Sequence, residues 1–282
     1  MHRRVLEAQR RILGPEHPDT ISSMYNLARI SDRPTTEKEK LHKEVLDARL
    51  RILGPEHPDT LNSFKSIADT LFRQGRHREA EILNRQVLEA ELRLLGPEHG
   101  ATLGTMQNLS MVLQELGESD EAEELIRKVV ETRRRIWGPE HPRTLTSMSN
   151  RVALLWSVGR YKDAEELGRE VVETQSRIFG PEHPRTLKSI SSLGASNYYQ
   201  GRYDEAEKLY REVFEARSRV LGPKHHATLL AMADLARPLN KMGRSSEAEA
   251  LIREVLEVRR RILGSEHGET LKTMNELAWI LT

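Results

Sequence analysis

Residues 54–60 read Gly54-Pro55-Glu56-His57-Pro58-Asp59-Thr60, and a close copy stands at Gly96-Pro97-Glu98-His99-Gly100-Ala101-Thr102. The same stretch, whole or nearly so, also begins at Gly14, Gly138, Gly180, Gly222 and Gly264, with a first spacing of 40 residues and five of 42. A period of roughly 20–50 residues marks an array of supersecondary units. Each unit is too thin to bury its own apolar face and must stack on its neighbours. The length of 282 residues would otherwise suggest about two globular domains, but the period governs instead.

Downstream of the motif, Leu61, Phe64, Ile67, Ala68 and Leu71 recur at three and four residues, the period of a one-sided helix. Pro58 sits where a first helical residue tolerates the missing N–H. Gly75 ends this helix, as Gly117, Gly159, Gly201 and Gly243 do later, by taking a left-handed conformation that other residues resist. A second helix carries Ala80, Leu83, Val87 and Leu88 on its apolar side and stops at Gly96-Pro97. Small Ala80 returns as Ala122, Ala164, Ala206 and Ala248, which suits close helix approach. Glu81–Arg85 returns as Glu123–Arg127, Glu165–Arg169, Glu207–Arg211 and Glu249–Arg253. Such pairs support a helix by about 0.2–0.5 kcal/mol each and read as a solvated outer face.

The expected fold is an all-α, right-handed superhelical solenoid of antiparallel helix pairs, about 14 helices with no strand. One solenoid should span 1–282, with a half-repeat at 1–14, repeats at 15–54, 55–96, 97–138, 139–180, 181–222 and 223–264, and a half-repeat at 265–282. Residues 2–13 resemble a second helix and 269–282 a first helix. The expectation is a piece of a longer array, or ends that pair with another copy into a homo-oligomer. The segment from Ser31 to Thr36 is two residues short and lacks the hinge glycine, so Pro34 should make the first turn irregular.

Composition excludes several functions. With 44 basic and 43 acidic residues the net charge is +1, whereas a general nucleic-acid binder needs a strongly positive face. The absence of cysteine removes disulfides, thiolate nucleophiles and the usual zinc frameworks. No apolar signal core follows Arg3-Arg4, and no apolar run approaches the ~18 residues of a membrane span. A soluble cytoplasmic protein is the default.

The spacing of Phe64, Ile67, Ala68, Leu71, Gly75, His77 and Ala80 resembles the tetratricopeptide repeat, whose usual length is about 34 residues. The longer form with Gly-x-x-His-Pro-x-Thr is similar to the repeats of kinesin light chains, nephrocystin-type proteins and the sensor arrays of microbial signalling ATPases. The resemblance covers essentially the whole chain and implies capture of a protein or peptide in a groove lined by first helices. It places the residues two, five, six and nine after the repeat threonine on a concave face. The sixth are Asn26, Ser66, Asn108, Asn150, Ser192, Asp234 and Glu276. Asparagine there offers a peptide backbone both donor and acceptor, though a merely hydrated polar face fits equally. The charges Arg29, Lys65, Asp69, Lys188, Asp234, Arg237, Lys272 and Glu276 are mixed in sign, unlike the clamp by which chaperone-linked members hold a carboxyl terminus.

Aromatics collect twelve and thirteen residues after the threonine, at Phe72, Trp156, Tyr198 and Tyr199. Half-exposed aromatics often dominate interface energy, while packing between hairpins is the alternative. The candidate peptide-binding residues are therefore Asn108, Asn150, Trp156, Ser192, Tyr198 and Tyr199. Two residues break the pattern. Arg151 replaces an apolar residue and must snorkel or pair, and Pro238 should kink its helix.

No chemistry is expected. His17, His57, His99, His141, His183, His225 and His267 share one repeat position, about a helix-pair spacing of ~10 Å apart, so they cannot share a metal ion. A loop role beside the helix start suits them better. None of the 17 glycines precedes lysine, and no Gly-x-Ser-x-Gly or His-Glu-x-x-His occurs. Neither a cofactor nor a catalytic residue is assigned.

Overall fold

Each copy of the repeated motif joins two helices, and nearly every side chain in it works on that joint. At Gly96 the backbone takes φ 82°, a left-handed turn that a Cβ would strain, and its N–H still closes on the Leu92 carbonyl at 3.2 Å. The next residue, Pro97, cannot extend the helix. His99 is extended, with φ −66° and ψ 142°, and its Nδ1 accepts the N–H of Ala101 at 3.2 Å. All seven motif histidines accept an N–H two residues on at that distance. They are helix caps, satisfying a donor that the first turn leaves orphaned. Thr102, Thr186, Thr228 and Thr270 donate back to the carbonyl of the motif glycine at 2.8–2.9 Å. The motif glutamates Glu16 and Glu140 pair with Arg51 and Arg177, near the end of the same repeat's second helix.

The computed structural model describes residues 2–30 and 35–281, so the segment around Pro34 lies outside the described residues. Its helices are α1 (His2–Ile12), α2 (Pro18–Ile30), α3 (Thr35–Leu53), α4 (Pro58–Arg73), α5 (His77–Leu95), α6 (Gly100–Glu115) and α7 (Ser119–Trp137). They continue as α8 (Pro142–Ser157), α9 (Tyr161–Phe179), α10 (Pro184–Tyr199), α11 (Tyr203–Leu221), α12 (His226–Lys241), α13 (Ser245–Leu263) and α14 (Gly268–Leu281). No strand occurs among the described residues. The interior first helices have 16 residues and the second helices 19, so the extra length of this repeat lies in the second helix. Gly75 turns the first pair's successor at φ 77°, with the Gly75 N–H on the Phe72 carbonyl at 3.0 Å. Pro238 lies within α12, which keeps the 16-residue length of its equivalents.

Two compact units comprise residues 1–132 and 133–282. In the first, α1 to α6 pack each on the next, around cores such as Leu6, Ile21, Met24 and Val45, or Leu46, Ile67, Leu71 and Ala80. In the second, α8 to α14 pack the same way, with Leu187, Ile190, Val213 and Ala231 in one layer and Ala206, Tyr210, Leu239 and Ile252 in another. Gly194 makes room there, since a Cβ would lie 3.1 Å from the Tyr210 ring.

The Glu–Arg row corrects one expectation. Its glutamates Glu81, Glu123, Glu165 and Glu207, with the equivalent Glu39 one repeat earlier, are largely covered, and only Glu249 of the row stays near the surface. Glu165 is 5% exposed and accepts from Arg169 at 2.7 Å, from Gln200 at 3.0 Å and from Arg202. Glu39 accepts from Gln74 at 2.9 Å and Arg76 at 3.0 Å, and Glu207 from Arg211 at 2.6 Å and Arg244 at 2.8 Å. Each carboxylate thus ties its helix to the turn of the next hairpin. Lys43, at 2.7 Å on the same helix, together with Gln74 and Arg76 holds Glu39 down at about 2, and the donors to Glu165 and Glu207 depress those carboxyls against the opposing effect of burial. The arginine of each pair stays in water, so the row is half clamp and half surface. Where an arginine turn residue is replaced by Glu118, Arg78 bridges it to Glu81 at 2.5 and 2.9 Å, preventing two carboxylates from facing each other unpaired.

Candidate functional site

The first helices of the second unit end in rings. Trp156 closes α8 and Tyr198-Tyr199 close α10, each one turn short of its hinge glycine. Two tyrosines opening the following helices, Tyr161 on α9 and Tyr203 on α11, complete the set. Tyr161 stacks on Tyr199 at 5.2 Å with 19° between planes. Trp156 meets Tyr199 edge-on at 5.4 Å, Tyr198 meets Tyr199 edge-on at 5.3 Å, and Tyr198 approaches Tyr203 at 5.5 Å. The result is one continuous run of five rings. Its outward part is wet, with Trp156 37% and Tyr199 50% exposed. Tyr198 backs onto the core around Tyr210 and Leu239, and burial pushes its phenol up. Packing and exposure, held above as alternatives, are therefore divided between neighbouring residues.

Sequence reasoning missed Tyr161 and Tyr203. Their signal was present: they stand two residues after Gly159 and Gly201, at a position filled elsewhere by His77, Ser119 and Ser245. An aromatic at the start of a second helix faces one at the end of a first helix because a two-residue hinge separates them.

The polar candidates fall elsewhere. Asn150 and Ser192 line a cavity of about 340 Å³ between α8, α9 and α10, apart from the rings. Asn108 belongs to the first unit, where it lines a recess of about 40 Å³ with Asp69, Phe72 and Asn84. Tyr198 and Tyr199 border a recess of about 400 Å³ with Arg237, Glu276 and Trp279. Its charges are already matched, Arg237 donating to Glu276 at 3.0 Å. In the first unit Lys65 likewise donates to buried Glu91 at 2.9 Å. Arg151 is half-buried, as a snorkelling or paired guanidinium must be. Among the described residues no three His, Asp or Glu side chains could hold a metal ion, and no helix is long and apolar enough to cross a membrane.

The Tetratricopeptide repeat family model matches residues 37–92, 101–175, 143–217 and 190–255, and a second tetratricopeptide model matches residues 1–19. The chain belongs to the tetratricopeptide repeat family. Among solved structures, it is similar to the nearly identical TPR-like repeats assigned to a kinesin light chain of Podosopora anserina. That match has 28% identity and a TM-score of 0.68, covering 74% of this chain and 99% of that one. BtubC (BKLC) from P. vanneervenii shares the tetratricopeptide fold at 18% identity and TM-score 0.69, covering 84% of this chain and 95% of that one. The quorum sensor NprR from B. thuringiensis shares it at 15% identity and TM-score 0.66, covering 93% and 69%. No curated protein matches the sequence. Tetratricopeptide repeats are in general scaffolds for protein–protein interaction.

Proposed function

We propose that this chain is a non-enzymatic scaffold that holds a protein or peptide partner on the first-helix face of its second unit. The observation that carries the reading is the run of Trp156, Tyr161, Tyr199, Tyr198 and Tyr203, five of the thirteen aromatics of the chain in mutual contact. Its two outermost rings are 37% and 50% exposed. Tyrosine and tryptophan anchor interfaces because they cover much area at small entropic cost. Asn150 and Ser192, in a separate cavity of the same unit, supply polar contacts for the partner's backbone, and Asn108 does so on the first unit. The seven motif histidines are engaged as helix caps, four of the motif threonines bond the motif glycine, and Glu16 and Glu140 pair with arginines of the second helix, so these residues serve architecture.

The test begins with a peptide selected from a displayed library against the full chain. Trp156→Ala and Tyr199→Ala should each weaken binding by about 2 kcal/mol or more, roughly thirtyfold. Arg253→Ala, on the exposed face of α13, should leave affinity unchanged. Normal affinity in both aromatic variants, with helicity retained, rejects the reading. A second reading, self-association, draws on Leu271, Met274, Trp279 and Leu281 of α14, all exposed. Light scattering across a dilution series tests it, and a constant monomer mass would remove it.

A further inference from the structure

Three recesses lined by successive first helices hold basic side chains from those helices, and they differ in how the charges are balanced. In one, of about 380 Å³, Lys65 and Arg73 are matched by Glu91 and Asp69, each at 2.9 Å. In the second, of about 400 Å³, Arg237 donates to Glu276 at 3.0 Å. The third is the cavity of about 340 Å³ between α8, α9 and α10. Arg185 and Lys188 of α10 stand in its lining, both exposed, and the lining includes no carboxylate. Neither side chain forms an ion pair among the described residues. The cause is legible in the repeat. Arg185 takes the place held elsewhere by Asp19, Asp59 and Glu269, and Lys188 is the equivalent of Lys272. In the last repeat Lys272 donates to Glu269 at 3.1 Å. With arginine in the acid's place, the fifth repeat sets two like charges three residues apart on one helix face, an arrangement that costs helix stability. The guanidinium of Arg185 also lies over the Phe179 ring, 5.7 Å from its centre, which keeps it beside the cavity.

The lining says what fits. Gly168 stands where Ile126, Tyr210 and Ile252 fill the layer in other repeats, so the cavity reaches an apolar floor of Gly168, Val152 and Val171, all buried. Half-buried Ser149 and Ser189 add hydroxyls to the wall. The volume falls within the range of roughly 300–1,000 Å³ typical of ligand pockets. Two cations without a counter-charge call for an occupant of charge near −2, with oxygens enough for a guanidinium, an ammonium and the hydroxyls. A carboxylate brings one charge and two oxygens. A phosphomonoester brings a charge of about −1.5 to −2 and three acceptor oxygens, and it suits a planar guanidinium donor. Since the cations are exposed and the floor is apolar, the phosphate belongs at the mouth and an uncharged aliphatic group beneath it.

We propose that this cavity receives a phosphoserine of the bound partner, its phosphate held by Arg185 and Lys188, with the aliphatic side chain next to it resting on Val152 and Val171. The occupant rests on the reading that this face takes a partner segment, but the pocket is testable without the partner. The probes are acetyl-phosphoseryl-leucine amide, its serine and glutamate counterparts, and inorganic phosphate, titrated into the isotope-labelled full chain by NMR. The phosphoserine probe should shift the Lys188, Ser189 and Gly168 amide signals and bind at least tenfold tighter than the serine probe. It should also bind more tightly than the glutamate probe, which has less charge, and than inorganic phosphate, which leaves the floor empty. Arg185→Asp and Lys188→Thr install residues that other repeats carry at Asp59 and Thr146, so both variants should fold and both should weaken the phosphoserine probe at least tenfold. Equal binding of the serine or glutamate probe, inorganic phosphate binding as tightly as the phosphoserine probe, or unchanged binding in both variants would overturn the proposal. If the probe fails while Trp156→Ala still weakens a selected peptide, the pocket falls alone. If the probe binds but Trp156→Ala and Tyr199→Ala do not matter to that peptide, the scaffold reading falls instead.

Discussion

The fourth and sixth repeats use the same backbone for opposite ends. In the sixth, Ile252 is buried against Leu235 and Leu239, and Arg259 spans the layer to the Glu269 carbonyl and the Thr273 hydroxyl. In the fourth, Gly168 and Gln175 occupy those two positions and the layer is hollow. Both helices run 19 residues, from Tyr161–Phe179 and Ser245–Leu263, with the same glycine exit. A stacked array tolerates this because stability is close to a sum over neighbouring repeats, so one layer can give up packing without unfolding the rest. The filled layer marks what architecture requires, and the hollow one marks where that requirement was relaxed.

The largest effect should come from acid, and it should erase the contrast. Glu39, Glu165 and Glu207 have carboxyls held below their ordinary value of 4.5, Glu39 at about 2. A lowered folded-state value means that the stabilisation is fully present above pH 4.5 and is lost as pH falls toward about 2. Circular dichroism should show both units losing helix in that window, because every clamp fails together. Retained helicity and unchanged thermal midpoints at pH 2.5 would mean that the clamps contribute little.

Substitutions should act on one layer at a time. Ile252→Gly recreates the fourth repeat's vacancy in the sixth and should cost about 3–5 kcal/mol, combining a cavity with poor helix propensity. Hydrogen exchange should rise mainly in α12, α13 and α14; uniform loosening of the chain would contradict nearest-neighbour stacking. Arg259→Gln makes the companion change. Losing charge-assisted bonds to Glu269 and Thr273 should cost about 1.5–3 kcal/mol in denaturant titrations. His183→Ala removes the cap of α10 beside the hollow layer and should cost about 1 kcal/mol. The smallest effect has the opposite sign. A Cβ at Gly168 would meet Leu193 at 3.7 Å and Val152 at 3.9 Å, ordinary contacts, so Gly168→Ala should stabilise by about 0.5–1 kcal/mol. Destabilisation there would mean that the cavity is filled in solution by something the alanine displaces.

Much of this was legible in the residue order. The glycines, prolines and histidines of the motif announced where helices stop and start, because those choices depend on local backbone conformation alone. The aromatic candidates Trp156, Tyr198 and Tyr199 were found by counting from the threonine, and they do meet. Their partners Tyr161 and Tyr203 were not found, because they sit across a hinge in a different helix register. The Glu–Arg pairs misled for a related reason. A four-residue spacing says that two side chains are neighbours on a helix, but not whether the next hairpin covers one of them.

By itself, the sequence determined the period, the helix boundaries and the all-helical class, since these follow from interactions within about one turn of chain. Tertiary structure alone decided which glutamates are buried, which rings touch, and where Gly168 and the shorter Gln175 leave a void. The glutamate clamps and the contacts of Trp156 and Tyr161 with Tyr199 join residues 35 to 43 positions apart, brought together only when one hairpin stacks on the next. Local chemistry writes the repeat, and stacking decides what each copy of it can do.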